Sequence, residues 1–326
     1  MTVLDHLRRT WCVRPSLVAF TLLMAVLAVF FAVGIAADDR VIAGQRAWLK
    51  PTKFALSISI YTATIAWLLT LVRAQSPRAK RLLEVIAWTV LIALAIEIAV
   101  ITTQVVRGTT SHFNVSTPLD MALWNTMGIA IIATWAVGLL LAVFLFAQPL
   151  EPPAVAWSIR LGLSIALVGM AQGFLMTFPT PEQLEILQAG ERITIVGAHT
   201  VGASEIGPGL PLTGWRTDAG DLRVGHFVGL HALQVLPLLG WFVSRRRTLD
   251  ATTASRLVWT AAASYLAIVI LLTWQALRGQ ALLDPDVATL SVLAAIVIGT
   301  AGAVLLIIRP RSLFGSVGRG WEGARP

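Results

Sequence analysis

Eight long apolar stretches constrain this sequence of 326 residues more than any other feature. A helix needs roughly 20 apolar residues to cross the hydrocarbon core of a bilayer, and each stretch reaches that length. Charged residues make up only 13% of the chain, against about 25% in soluble domains, so a soluble globular fold is excluded. The sequence predicts an all-α polytopic transmembrane helix bundle of about eight spans, forming one domain. The predicted spans are residues 15–37, 54–72, 85–106, 121–148, 154–178, 225–244, 257–276 and 287–308.

The distribution of Lys and Arg predicts how the bundle is oriented. With the N-terminus in the cytoplasm, sixteen of the 25 Lys and Arg residues fall on the cytoplasmic side. The positive-inside rule therefore favours both termini inside. The net charge of +8 then belongs to cytoplasmic loops that face anionic lipid, so we expect membrane lipids and no nucleic acid as partners.

The first span has one alternative interpretation. An Arg-bearing start, an apolar run and the small residues at 34–37 also resemble a signal peptide. The apolar run is longer than the 7 to 15 residues or so of a cleavable signal, which favours a retained helix. The single cysteine, Cys12, precedes this span and is interpreted as an inert thiol.

Residues 179–224 form the one long connection, which is predicted to be an ordered, lid-like extracytoplasmic loop. Thr180 and Gln183 are spaced as a capping box, which predicts a short helix from Pro181 to about Gln188. Residues 192–196 alternate β-branched side chains and predict a strand.

Polar and ionisable side chains of the spans converge on the extracytoplasmic half of the bundle, and each is a functional candidate because its burial in lipid is costly. The catalytic candidates are His231, His226, Glu97 and Arg107. The candidate ligand-binding residues are Lys50, Lys53, Ser57, Gln104, Asn125, Arg223 and Gln234. We expect these groups to share one cavity, lined by the second, third and sixth spans, with His231 facing into it.

The histidines leave the cofactor open between none, haem and a transition metal. His226 and His231 are five residues apart, about 140° around a helix, so they do not form an i, i+4 metal pair. The candidate metal ligands are His112, His226 and His231. For His231 alone, helix packing, metal or haem ligation and proton relay remain alternatives.

Glu97 is expected to pair with Arg107 or Arg223, or to be neutral, because an isolated buried carboxylate is unfavourable. Lys50 and Lys53 either snorkel at a helix start or bind an anion such as a lipid phosphate or a carboxylate. Asp120, three residues after Thr117, is interpreted as a residue that starts a helix.

Four segments resemble those of a family of bacterial polytopic integral membrane proteins. They are WLKPTKF, RGTTSHFN, GAHTVGASEIGPGLPLTGW and GDLRVGHFVGLHALQVLPL. The resemblance spans most of the chain from Trp48 to Trp241 and implies a multi-pass protein of the bacterial inner membrane. It transfers no activity.

Three function classes remain. The favoured one is a membrane enzyme, either a metal- or haem-dependent redox protein or a lipid-modifying enzyme. The second is a transporter or channel for a small anionic solute, and the third is a non-catalytic assembly partner. The enzyme is favoured because the polar groups cluster in one half of the membrane, whereas a pathway needs them through both halves. The oligomeric state is left undetermined.

Overall fold

A computed structural model describes residues 14–309, and Cys12 lies outside that range. Within this range the chain is an all-α polytopic bundle in which eight helices are long and apolar enough to cross a membrane. The predicted fold class is therefore confirmed. In chain order the helices are α1 Pro15–Ala37, α2 Leu49–Leu71, α3 Pro77–Val106, α4 Pro118–Ala147, α5 Pro153–Gln172, the short α6 Pro181–Gln188, α7 Leu222–Ser244, α8 Ala251–Leu277 and α9 Val287–Ile308.

The observed helices extend beyond several predicted spans because their first turns are polar and capped. The Ser76 side chain accepts a hydrogen bond from the backbone of Ala79, so α3 begins eight residues before its apolar stretch. Asp250 caps α8 in the same way. The predicted fifth span is divided, because α5 ends at Gln172 and a 3₁₀ helix, Gly173–Thr177, follows it.

Apolar packing joins the helices in two groups that share α5 and α7. The largest core cluster draws buried residues from α1 to α5 and Leu233 from α7, and a second cluster joins α5, α7 and α8. The α5 and α7 backbones touch at Gly169 and Gly229, where a Cβ on Gly169 would lie 2.7 Å from the Gly229 Cα. Helix α9 packs on α8.

Short strands and loops gather at one end of the bundle, which we call the loop face. The strands β1 Val41–Ile42 and β2 Gln45–Arg46 form a hairpin there, and β3 Thr200–Val201 pairs antiparallel with β4 Gly220–Asp221. The same face includes the connection between α3 and α4, residues 107–117, which touches the long segment 179–224.

The long segment follows the sequence prediction in one part and departs from it in another. The capping box of Thr180 and Gln183 is present and starts α6 as predicted. The predicted strand at 192–196 is wrong: only Ile195 forms an isolated bridge, to Asn114. A strand needs an extended neighbouring segment to pair with. Residues 107–117 are extended over too few positions before α4 begins.

Candidate functional site

A cavity of about 1190 Å³ opens between α2, α3, α4 and α7 beneath the loop face. It is larger than the roughly 300–1,000 Å³ of pockets for drug-sized ligands. Its walls are mostly apolar, and most of its charged groups come from the loop face and from the helix ends beside that face. The ionisable side chains that line the cavity, among the described residues, are Arg46, Lys50, Lys53, Glu97, His112, His199, Glu205, Arg216, Arg223, His226 and His231, together with Tyr61 and Tyr265.

Glu97 and His112 meet at the polar end of this cavity. Glu97, on α3, is 2% exposed. The loop after α3 folds back into the bundle, so the His112 Nε2 lies 3.5 Å from the Glu97 Oε1. The other carboxylate oxygen, Oε2, is buried and has no hydrogen-bond partner within residues 14–309. The expected pairing of Glu97 with Arg107 or Arg223 is therefore wrong, because each arginine binds a nearer aspartate.

Aromatic rings fix the position of His112. Its ring centroid lies 5.4 Å from Phe54 and 5.7 Å from Trp124. Phe113, next in sequence, has a left-handed backbone with φ of 64° and contacts the His199 ring at 4.7 Å. Such a backbone is unfavourable for a bulky residue and persists only where the surrounding structure imposes it. Burial, with the charge of Lys50, holds the pKa of His112 well below its usual range, so the ring is neutral at pH 7.

The two lysines at the start of α2 have different surroundings. The Lys53 Nζ donates to the Thr213 backbone oxygen at 2.8 Å and so ties α2 to the long segment. Lys50 lies within electrostatic range of Glu97 and Lys53. No hydrogen bond or ion pair is formed by Lys50 with the residues that the structure describes. Its ammonium group is therefore available to a ligand in the cavity.

A second histidine–carboxylate pair lies in the long segment. The His199 Nδ1 and backbone nitrogen both bond to Glu205, which also accepts from the Thr200 backbone. Burial works to raise the pKa of Glu205, yet the hydrogen bonds that it accepts from His199 and from the Thr200 backbone lower it to about 2. Burial also lowers the pKa of His199, against the opposite effect of Glu205. The ring is therefore held as a neutral hydrogen-bond donor to Glu205.

Both histidines of α7 bond to backbone carbonyls. The His226 Nδ1 donates to the Gly169 oxygen at 2.7 Å, and the His231 Nδ1 donates to the Phe227 oxygen of its own helix at 2.7 Å. Both rings line the cavity, His231 from an exposed position. In the described chain, no three His, Cys, Asp or Glu residues are grouped to hold a metal ion. The predicted metal ligands His112, His226 and His231 therefore gain no support.

Several other predicted site residues are engaged in structural contacts outside the cavity. The Asp120 carboxylate accepts from the Gln104 Nε2 at 2.8 Å and the Arg107 Nη1 at 2.6 Å. Thr117 caps α4 at Asp120, as predicted. The Gln234 Nε2 donates to the Thr64 hydroxyl at 3.1 Å, which links α7 to α2. Arg107, Gln104 and Gln234 do not line the cavity, and each bonds to another side chain, so their predicted roles in catalysis or ligand binding stay predictions.

Arg223, Ser57 and Asn125 do line the cavity. Arg223 is already bound to Asp221, at 2.6 Å, and to the Gly214 backbone oxygen at 2.7 Å. Arg223 therefore holds the long segment in place beside the cavity, and its charge is already paired with Asp221.

The cavity walls farther from the loop face are apolar, and several of their side chains are exposed. Leu56 and Ile60 of α2 are 53% and 39% exposed, and Ile129 and Ile132 of α4 are 70% and 52% exposed. All four line the cavity. Ile60 lies about 16 Å along α2 from its first residue, which is about half of the length that a helix needs to cross a bilayer. Helix packing thus leaves this wall exposed near the middle of α2.

Glu205 is a cavity residue that no sequence pattern indicated. It follows Ser204 in a segment rich in turn-forming residues, and no spacing relates it to the other acids. His199 and Glu205 reach the cavity only because β3 pairs with β4 at the start of α7.

We compared the chain with family profiles, curated proteins and solved structures. None of the three comparisons found a match.

Proposed function

We propose that this protein binds an anionic amphiphile, with its charged group at the polar end of the cavity and its acyl chains along the apolar walls. The observation that carries this proposal is the combination of two features. Lys50 has no anionic side chain of the described residues bonded to it, and the cavity wall is left open at Leu56, Ile60, Ile129 and Ile132. An amphiphile needs both a charge partner and an apolar surface, and it can enter from the bilayer through an open wall.

A lipid-modifying enzyme is the class that this arrangement supports within our proposal. The neutral His112 ring lies beside the Glu97 carboxylate at the polar end, and such a pair can accept and return a proton. The end of the bundle opposite the loop face is closed by apolar packing of residues such as Leu68, Leu141 and Ile159, which are 0–2% exposed. That packing favours a binding site over a pathway through the membrane.

The orientation belongs to the same proposal. The excess of Lys and Arg near the opposite end of the bundle supports a loop face on the extracytoplasmic side of a bacterial inner membrane. The ligand would then come from the outer leaflet of that membrane.

Lipid binding by the purified, delipidated protein in mild detergent tests this function. We expect dioleoyl phosphatidic acid to bind at least about tenfold more tightly than dioleoyl phosphatidylcholine, measured by native mass spectrometry. Lys50→Gln should reduce this preference about tenfold, which corresponds to about 1.4 kcal/mol.

The matched control is Lys80→Gln, since Lys80 is an exposed lysine at the other end of the bundle. This variant should keep the wild-type preference. Equal binding of the two lipids by the wild-type protein, or equal effects of the two lysine variants, would overturn the proposed function.

A further inference from the structure

The Glu97 Oε2 is a buried hydrogen-bond acceptor without a donor. Its residue is 2% exposed and lines the cavity, yet no described protein group donates to this oxygen. The nearest basic nitrogen, the His112 Nε2, lies 3.5 Å from the other oxygen, beyond good hydrogen-bond length. Buried polar atoms in folded proteins nearly always have a partner, so the missing donor calls for an explanation.

The neighbouring histidines add further acceptors to the same space. A backbone carbonyl can only accept, so the His226 Nδ1 must carry the proton that it shares with the Gly169 oxygen. In the neutral ring the Nε2 is then an acceptor. The same holds for His199, whose Nδ1 proton is directed at the Glu205 carboxylate. Both rings line the cavity with Glu97.

The polar end therefore presents acceptors together with Lys50, a cation that forms no hydrogen bond or ion pair with any residue of 14–309. A phosphate or carboxylate alone satisfies the lysine and leaves the Glu97 Oε2 without a donor. A headgroup that carries an anion and also a hydroxyl or ammonium donor satisfies both Lys50 and the Glu97 Oε2.

We propose that Glu97 selects amphiphiles whose headgroup carries a hydrogen-bond donor, hydroxyl or ammonium, beside the anion that Lys50 binds. This inference rests on the proposed function and names the substrate class of the same site. Glu97 accepts from the donor through its Oε2, and the apolar walls hold the chains as before.

Three dioleoyl lipids test the selection in the binding assay described above. Phosphatidylglycerol and phosphatidylmethanol carry the same charge, but only the first has hydroxyl donors. Phosphatidylethanolamine carries an ammonium donor. We expect the wild-type protein to bind phosphatidylglycerol or phosphatidylethanolamine at least about tenfold more tightly than phosphatidylmethanol.

Two substitutions distinguish the donors. Glu97→Ala should remove the preference for either donor lipid. Glu97→Gln keeps an acceptor oxygen but no charge, so it should preserve a preference for a hydroxyl and abolish one for an ammonium. The control Glu191→Ala, at an exposed position of the long segment, should leave the preference unchanged.

Different binding results would overturn the headgroup selection and the proposed function. If phosphatidylglycerol, phosphatidylethanolamine and phosphatidylmethanol bind the wild-type protein equally while phosphatidic acid still outcompetes phosphatidylcholine, the headgroup selection is wrong and the proposed function stands. If a donor preference exists but persists in Glu97→Ala, Glu97 is not the selecting residue. If phosphatidic acid shows no advantage, the proposed function itself fails.

Discussion

At the scale of single residues, two buried acids on neighbouring helices differ in the hydrogen bonds that they accept, and therefore in their roles. Asp120 is 3% exposed and Glu97 is 2% exposed. The Asp120 carboxylate accepts hydrogen bonds from Gln104, Arg107, Ser116 and Thr117. Glu97 has one oxygen with no partner in the described chain. The first acid holds the start of α4, and the second is free to meet a ligand.

Removal of the Asp120 carboxylate should therefore destabilise the protein. Asp120→Ala leaves the partly buried Arg107 and the buried Gln104 without their shared acceptor, so we expect a loss of about 2 kcal/mol. The melting midpoint in detergent should fall by several degrees. Asp39→Ala is the control, because the Asp39 side chain is 93% exposed in its pair with Arg46 and exposed pairs contribute little. A similar midpoint for both variants would contradict this assignment of Asp120.

At the scale of elements, the contact of α5 with α7 places His226 at the cavity. At one of their close approaches neither helix has a side chain, because Gly169 faces Gly229. The carbonyl of Gly169 is also the acceptor of the His226 Nδ1 proton. One glycine thus sets both the spacing of the helices and the orientation of the ring.

A methyl group at this contact should push the helices apart. Gly169→Ala places a Cβ 2.7 Å from the Gly229 Cα, and overpacking of this kind costs about 1 to 3 kcal/mol. We expect a lower melting midpoint and weaker binding of phosphatidic acid. Gly299→Ala is the matched control, since nothing lies within 4 Å of a Cβ at that position of α9. Alanine is the better helix former, so a midpoint for Gly169→Ala equal to or above that of Gly299→Ala would refute the close contact.

At the scale of the whole molecule, the two ends of the bundle differ in charge and in structure. The loop face carries the two short strand pairs, the long segment and the mouth of the cavity. The opposite end carries tight basic turns, such as the one at Arg245, Arg246 and Arg247. This asymmetry is what the proposed orientation in the membrane depends on.

Cysteine labelling in intact cells measures that orientation. In a Cys12→Ser background, Glu185→Cys places a thiol on the exposed surface of α6, and Arg247→Cys places one in the turn between α7 and α8. A membrane-impermeant maleimide should label position 185 in intact cells and position 247 only after permeabilisation. The reverse pattern would place the loop face in the cytoplasm.

The sequence by itself determined the helices and many of their ends. Bilayer thickness sets the length of an apolar span, and caps such as Thr180 and Asp221 act through their own neighbours, so both are local properties. The sequence also indicated the half of the bundle where polar groups collect.

Only the tertiary structure decided which of those polar groups meet. Helical spacing could not show that Arg107 binds Asp120 across a loop, or that His112 folds back to Glu97. The strand predicted at 192–196 is absent for the same reason. A strand forms only when a neighbouring segment pairs with it, and here the neighbouring segment pairs only at Asn114 and Ile195. Contacts between residues distant in sequence depend on how helices and loops pack, and periodicity within one element carries no information about them.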